Sequence, residues 1–383
     1  NLQINNVFGA TGMTYFAFSD ILGNHQIQFG TEMVLTLEDS DYFLSYGYLK
    51  NKTDYYFVGF QTADFFQAGY YSLGRLRHYG IQSYISHPFS RFQRLDFGLT
   101  WHNISYDILD RVINTFTGQE ELLKRPGSIK FTTVLPTMSW VIDNSVFGIT
   151  GPVDGYRQNA SVTASPGWKN NFSFQTMKFD ARKYWRVGRD YTFALRGFFG
   201  RSQGNKAQKF FLGGTPYLLT DFQSGETNGV KDPSIYRSVL TDTANSNIIT
   251  DVYFTEYAFP MRGARFAERI GTNAALFNFE IRFPFINYLA LGFPLKLVLG
   301  NIRGHAFMDV GAAWDNYSEF SSNMWPDKYG PNNSGNFSPW VVTSGLGVKI
   351  NLGYFLLRIE SAWDKNPSGY SKPQWYLSLG PDW

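Results

Sequence analysis

Residues 271–285 alternate between two kinds of side chain with a strict two-residue period. Phe277, Phe279, Ile281 and Phe283 fall on one face of the implied strand, whereas Asn278, Glu280 and Arg282 fall on the other. A strand that is aromatic on one face and charged on the other separates two different solvents. The whole chain has a matching composition, since it contains 36 Phe, 24 Tyr and 10 Trp while its mean hydropathy is only -0.25. This combination favours a large sheet with one apolar and one polar face.

The same alternation recurs along the chain in runs of about ten residues that are separated by turn residues. We find no sustained helical periodicity, and no run reaches the roughly 18 apolar residues that a membrane helix needs. The pattern predicts 16 strands, near 2–9, 13–19, 25–36, 41–50, 54–63, 75–87, 91–107, 128–143, 156–165, 171–184, 190–201, 271–283, 302–314, 339–351, 353–364 and 374–383.

The predicted connections fall into two classes. The short turns are 19–24, 51–54, 87–90, 187–190 and 351–353, and the long polar loops are 108–127, 202–270, 315–338 and 364–373. Short turns at one end and long loops at the other are typical of outer-membrane barrels. The sequence therefore predicts an all-β protein, a 16-stranded antiparallel transmembrane β-barrel that forms one domain over residues 1–383 with a long insertion at about 202–270. A soluble β-sandwich also alternates, but its strands are shorter and its aromatic residues do not recur at strand ends.

Composition and motifs argue against several classes of function. The chain has no cysteine, which excludes a disulfide scaffold and cysteine-ligated metal sites. A net charge of +3 is too small to indicate nucleic-acid binding. The sequence lacks the nucleotide-binding, hydrolase and zinc-protease motifs, and its five histidines are not spaced as metal ligands. We therefore predict no catalytic residue, no cofactor and no metal site.

The C-terminal run 375–383 has a hydrophobic residue at every second position. Trp375, Leu377, Leu379 and Trp383 belong to it, and Gly380 lies three positions before the terminal aromatic residue. An unpaired terminal strand offers free backbone donors and acceptors to another strand. We interpret this run as the closing strand of the barrel and as a recognition signal for assembly.

Arg262 and Gly263 lie within the longest segment between predicted strands. Glu280 and Asp309 lie on adjacent predicted strands, on the face assigned to the barrel interior. Buried carboxylates need partners, and a guanidinium binds carboxylates with a bidentate geometry that lysine cannot supply. This placement suggests that Arg262 bridges Glu280 and Asp309; a solvated loop arginine is the alternative interpretation.

Several motifs occur in a set order along the chain. They are FSDILGNHQIQFG at 18–30, FFLGG at 210–214 with Phe210, Phe211, Gly213 and Gly214, MRGAR at 261–265, GTNAALFNFEIRFPF at 271–285, HAFMDVGAAWD at 305–315 and WYLSLGPDW at 375–383. Together they resemble the outer-membrane assembly-factor superfamily, or bacterial surface antigen family, which includes BamA, TamA and the two-partner secretion transporters.

The resemblance implies that the sixth extracellular loop folds back into the barrel, where Glu280 and Asp309 hold Arg262. It also implies a weak seam, or lateral gate, between the first and last strands. Two features depart from the family pattern. Ala264 stands where the family usually has an aromatic residue, and Gly214 and Arg262 are 48 positions apart, which indicates an insertion.

The resemblance further implies protein insertion or translocation in the outer membrane of a Gram-negative bacterium. The expected partners are the lipid bilayer, unfolded or secreted outer-membrane polypeptides, and periplasmic or lipoprotein partners. Periplasmic domains that precede such barrels are expected to be absent from this chain. Two alternatives stay open: a passive pore or surface-binding barrel, and a barrel that anchors an upstream domain.

Overall fold

A computed structural model of the chain describes residues 2–5, 9–33, 38–67, 72–113, 120–167, 173–215, 218–223, 255–258, 260–264, 268–292, 297–320, 339–353, 355–366 and 369–380. The segments between these ranges, which include Trp383 and most of the predicted insertion, lie outside the described residues. The part of the chain that is described contains no helical segment with the length and hydropathy of a membrane span.

The described residues form 23 strands and one short 3-10 helix at Tyr317–Phe320. Strands β1 to β13 are Leu2–Asn5, Gly9–Ser19, His25–Met33, Asp41–Tyr48, Asp54–Gln67, Ser72–Pro88, Gln93–Ile113, Glu120–Lys124, Ile129–Asp143, Val146–Gly148, Gly151–Pro166, Ser173–Val187 and Tyr191–Gly204. Strands β14 to β23 are Phe210–Leu212, Leu218–Gln223, Glu256–Ala258, Arg269–Gly271, Asn273–Leu291, Leu297–Trp314, Trp340–Asn351, Leu356–Asn366, Gly369–Tyr370 and Gln374–Leu379.

Most of these strands form one antiparallel sheet in which each strand pairs with the next along the chain. The ladder runs from β1 to β7, then through β9, β11, β12 and β13 to β18, and from β18 through β19, β20 and β21 to β23. The short strands β8, β10 and β22 extend β7, β11 and β21. The all-β class and the large antiparallel sheet are therefore confirmed.

The two faces of this sheet have the polarity that the alternation predicts. Along β18, Asn278 and Glu280 are fully buried, whereas Phe277 is 46% exposed. The exposed side chains on other strands include Phe16, Phe57, Trp101, Trp140, Phe179 and Met308, and the buried ones include Asp107, Arg196, His305, Asp309, Lys349 and Glu360. A sheet in water places apolar side chains inside, so this reversed arrangement fits an outer face in lipid and an enclosed polar face.

Several strands differ in their bounds from the predicted ones. The first strand covers Leu2–Asn5 rather than 2–9, and β2 begins at Gly9 rather than at 13. Strand β7 continues to Ile113 and pairs with β8, so the predicted loop 108–127 contains a hairpin extension. Polar residues in that segment suggested an irregular loop, but backbone pairing between neighbouring strands does not require an apolar face.

The hairpin of β18 and β19 is longer than predicted. The two strands pair as far as Leu291 and Leu297, although the alternation predicts ends at 283 and 302. Strand β18 contains Pro284, which lacks the amide N–H that a ladder needs. The strand passes Pro284 through a register shift between Pro284 and Ile286.

The predicted insertion 202–270 also contains strands. Strands β14, β16 and β17 form a separate small sheet, in which β14 pairs in parallel with β16 and antiparallel with β17. Strand β15 pairs antiparallel with the last ladder strand, β23, on the edge opposite to β21. The sequence gives no strand within 215–256, and among the described residues β23 pairs with β15 rather than with the first strand.

Candidate functional site

The base of the insertion packs against the polar face of the large sheet through a small apolar cluster. Phe210 and Leu212 of β14, Ala258 of β16 and Met261 are fully buried. They share one cluster with Phe198, Ala264, Ala274, Leu276, Ala313 and Val341. Most of these residues belong to β13, β18, β19 and β20 of the large antiparallel sheet, which forms the wall against which the insertion packs. Burying these side chains removes apolar surface from water and holds the segment against the wall.

The two glycines of the FFLGG motif allow the chain to turn at this point. Gly213 and Gly214 have φ angles of 122° and 101°, which only glycine adopts without strain. Gly214 then exchanges backbone hydrogen bonds with Met261, at 3.2 Å and 2.9 Å. Phe211 is buried and makes an edge contact with Tyr257 of β16. The predicted base residues Phe210, Phe211, Gly213 and Gly214 thus lie together, directly beside the segment that carries Arg262.

Arg262 is the centre of a buried ionic network. Its side chain is 2% exposed, and it binds Asp309 with two parallel bonds, from Nε to Oδ2 and from Nη2 to Oδ1, both 2.9 Å long. The Nη1 atom donates to Glu280 Oε2 at 2.8 Å. The backbone N–H of Arg262 adds a further bond to Asp309, at 3.0 Å. The structure therefore brings together the three residues that the sequence associates, in a bidentate geometry that only arginine provides.

Each carboxylate in this network has further partners. Asn278 donates its side-chain amide to Asp309 and to the carbonyl of Pro260, each at 2.8 Å. Glu280 accepts from Arg282 Nε at 2.7 Å and from the ammonium of Lys349. Buried charges are stable only when their remaining hydrogen-bonding positions are filled, and these neighbours fill them.

A third carboxylate, Glu360 of β21, was not identified from the sequence. It is fully buried and accepts from Arg262 Nη1 at 3.3 Å, while its Oε1 atom also lies 2.9 Å from His305 Nε2. The alternation of residues 353–364 places Glu360 on the polar face, which was the available signal. That signal did not reveal its neighbours, because the distance between non-adjacent strands depends on sheet curvature.

Gly263 and Ala264 explain how the loop approaches the wall so closely. Gly263 has a φ of 86°, and a Cβ there would lie 3.0 Å from the Cβ of Ala362. Ala264 is buried in the apolar cluster, where the family resemblance implies an aromatic residue. An aromatic ring is supplied by the wall instead, because the guanidinium of Arg262 lies 3.6 Å from the ring centroid of Phe307.

A second, partly exposed contact attaches the insertion to the wall just beyond the end of β19. Lys209 Nζ lies 2.9 Å and 3.0 Å from the two carboxylate oxygens of Asp315, and the N–H of Thr272 donates to the same carboxylate at 2.8 Å. Burial raises the pKa of Asp315, but Lys209 and Thr272 outweigh it and hold the pKa below its ordinary value.

The predicted C-terminal signal strand is β23. Trp375 is 46% exposed on the outer face, whereas Tyr376 and Ser378 are buried on the inner face, and Leu377 and Leu379 are half-buried. Gly380 follows the strand and donates its N–H to the carbonyl of Leu356 at 3.0 Å. Trp383 lies outside the described residues. The alternation thus continues to the last described strand. This strand is distant in sequence from Trp101 and the other outer-face residues of the early strands, but all of them belong to one sheet.

The fold and these motifs can be compared with known proteins. Residues 39–383 match the model of the Omp85 superfamily domain. The chain belongs to the Omp85 superfamily. This membership confirms the family that the motifs indicate, and it supports, at the family level, a bacterial outer-membrane location, polypeptide substrates and a role in outer-membrane protein insertion or translocation.

Solved structures resemble this Omp85 chain at low sequence identity. BamA from Haemophilus ducreyi lacking POTRA domains 1-3 has a TM-score of 0.58 at 12% identity, over 99% of this chain and 69% of that chain. This chain therefore has a BamA-like fold. CdiB from Acinetobacter baumannii has a TM-score of 0.48 at 11% identity over 99% and 58% of the two chains. CdiB from Escherichia coli has a TM-score of 0.45 at 11% identity over 98% and 60%. This chain therefore spans less than two thirds of both CdiB structures, and no curated protein matches its sequence.

Proposed function

We propose that this Omp85 chain is an outer-membrane insertase or translocase, built as a 16-stranded barrel whose sixth extracellular loop is folded inward. The observation that carries the proposal is that the ladder has two ends. Among the described residues, β1 pairs only with β2, and β23 pairs with β21 and with a segment of the insertion rather than with β1. A sheet edge of this kind presents backbone donors and acceptors in the spacing that another strand requires.

The mechanism is templating of strands rather than bond chemistry. The free edge of the first strand, at Leu2–Asn5, accepts an extended segment of an incoming polypeptide. Backbone hydrogen bonds at this edge satisfy polar groups that would otherwise enter the lipid unpaired, which is the main cost of moving a strand into a bilayer. Local thinning of the bilayer at the seam lowers the barrier further.

The network around Arg262 gives the loop its role in this mechanism. Arg262 is held by carboxylates on three strands of the wall, β18, β19 and β21. A loop that is anchored to three of the four consecutive ladder strands β18 to β21 fixes their spacing and curvature, and β21 is the neighbour of the last strand, β23. The anchored loop therefore keeps the wall beside the seam in the conformation that accepts a substrate strand.

The test is an insertion assay with the purified chain in phospholipid vesicles. An unfolded outer-membrane barrel protein is added, and its folding is followed by the mobility difference between heated and unheated samples on gels. We expect faster insertion than into vesicles that hold an equal mass of an unrelated porin. Equal rates in the two kinds of vesicle would contradict the proposal.

A passive pore or surface-binding barrel is the second candidate, and the charged interior is the observation that favours it. Conductance across a planar bilayer separates the two functions. The inward loop and its apolar cluster obstruct the interior, so we expect low and flickering conductance. A large and steady conductance would favour the pore.

A further inference from the structure

Strand β15 occupies a special position at the end of the ladder. It runs antiparallel to β23, from Leu218 opposite Ser378 to Gln223 opposite Gln374. The other edge of β23 is taken by β21. In a closed antiparallel barrel with an even number of strands, the edge that β15 occupies belongs to the first strand.

The same segment is tied to the loop inside the barrel. Gly214 is hydrogen-bonded through its backbone to Met261, the residue before Arg262, and Thr215 is buried. Only positions 216 and 217 separate Thr215 from Leu218. Fully extended chain spans at most about 3.6 Å per residue, so β15 lies within a short tether of the Arg262 network.

The pairing of β15 with β23 is also the kind that exchanges readily. The pairing is no longer than β15 itself, which has six residues, Leu218–Gln223, and its register shifts between Leu218 and Thr220. By contrast, the pairing between β20 and β21 runs without a shift from Thr343 to Asn351. Short and irregular ladders contribute few cooperative backbone bonds and open before long ones do.

We propose that β15 is a built-in seam strand, which occupies the edge of β23 and must leave it before a strand of an incoming polypeptide pairs there. This proposal rests on the proposed insertion or translocation function. It assigns a role to the 48-position gap between Gly214 and Arg262, since the insertion supplies an internal competitor for the substrate strand. The partner that displaces β15 is an extended antiparallel segment, such as the terminal strand of another outer-membrane barrel.

The first arm of the test asks whether β15 holds this edge in a membrane. The chain has no cysteine, so the double variant Phe222→Cys with Trp375→Cys contains only two thiols. These two positions are direct partners in the register. The Cα atoms of such partners lie about 4.5–5.5 Å apart, within the range that a disulfide spans. We expect a disulfide in vesicles after mild oxidation with copper phenanthroline.

The matched control moves one cysteine by a single position. In Phe222→Cys with Tyr376→Cys, the two side chains are on opposite faces of the sheet, because neighbouring residues of a strand alternate. Little or no disulfide is expected there. Absence of the bond in the aligned pair, or equal yields in both pairs, would overturn the proposal.

The second arm measures protection of the edge. Prolines at Thr220 and Phe222 remove ladder donors from β15. We expect the amides of β23 that face β15 to exchange with solvent about fivefold faster or more, since each lost backbone bond changes an opening equilibrium by about that factor. Prolines at Ser238 and Thr241, also within the insertion, are the control and are expected to leave this exchange unchanged. Unchanged exchange in the first variant would refute the assignment.

The third arm joins the seam strand to function. With the disulfide between positions 222 and 375 closed, we expect insertion of a barrel substrate to stop, and a reductant restores it. Full activity of the locked chain would refute displacement while the proposed function stands. If the unmodified chain inserts nothing, the proposed function fails and the displacement step falls with it, whereas the disulfide and exchange results still decide whether β15 holds the edge.

Discussion

Replacing Arg262 by alanine removes the centre of the buried network. The substitution deletes four side-chain hydrogen bonds, to Asp309, Glu280 and Glu360, and leaves the bond from the backbone N–H to Asp309. Breaking a buried ion pair typically costs about 3–5 kcal/mol, because the remaining charge stays buried without its partner. Here Asn278 still binds Asp309, and Lys349 still binds Glu280. We therefore expect about 3 kcal/mol, the lower end of that range.

A loss of this size raises the population with a detached loop roughly 100-fold, since each 1.4 kcal/mol corresponds to about a factor of ten. The measurement is hydrogen exchange of residues 255–271 in the chain embedded in lipid nanodiscs. Arg262→Lys keeps a positive charge but loses the bidentate fork, so its effect is expected to lie between those of the native chain and of Arg262→Ala.

Arg125→Ala is the matched control. Arg125 also binds an aspartate with two bonds, to Asp110 at 3.0 Å and 2.7 Å, but its side chain is 51% exposed. An exposed pair contributes little to stability because water and salt screen it, and this one is remote from the insertion in sequence. The reasoning is refuted if Arg262→Ala leaves the exchange of the loop unchanged, or if Arg125→Ala increases it equally.

Four further outcomes are expected. Gly263→Ala forces a side chain to adopt a φ of 86° against Ala362, so it weakens loop attachment by about 1–3 kcal/mol in the same exchange measurement. Glu360→Gln keeps the volume but removes a charge bonded to Arg262, which costs about 1–3 kcal/mol and raises exchange of the same segment. Phe277→Arg places a charge on the outer face and lowers folding stability in bilayers by about 2–4 kcal/mol if the site is near the midplane, as urea titration measures. The stabilisation from Asp315 is present above the ordinary carboxyl pKa and is lost as the pH falls through the lowered pKa; Lys209→Met moves that loss to higher pH, as exchange of the Thr272 amide at graded pH shows.

Local alternation determined the parts of the fold that the sequence predicts correctly. The two-residue period of 277–283 assigns faces without any knowledge of neighbouring strands, and Asn278 and Glu280 are buried as that period requires. The association of Arg262 with Glu280 and Asp309 followed from the same assignment together with the need of buried carboxylates for partners. That the contact of Arg262 with these carboxylates holds the inward loop, and so the barrel, in a competent state stays a prediction.

The features that sequence reasoning missed depend on pairing between distant segments. Glu360 joins the network from β21, two ladder positions beyond the strand of Asp309, and Phe307 supplies the ring that Ala264 does not. Strand β15 pairs with a strand about 150 positions later, as Phe222 opposite Trp375 illustrates. A local pattern specifies which face a residue takes, but it does not specify which distant edge a short strand joins.

The central claim is that substrate strands pair with an edge at the seam, and disulfide trapping during insertion tests it most directly. A single cysteine is placed at Ile4 in the first strand or at Trp375 in the last, and a second is scanned along the terminal strand of an unfolded barrel substrate. The account predicts mixed disulfides that form at register-matched positions, appear during insertion and disappear when the substrate is released. A substrate that inserts at the full catalysed rate without forming a disulfide to either edge would contradict it.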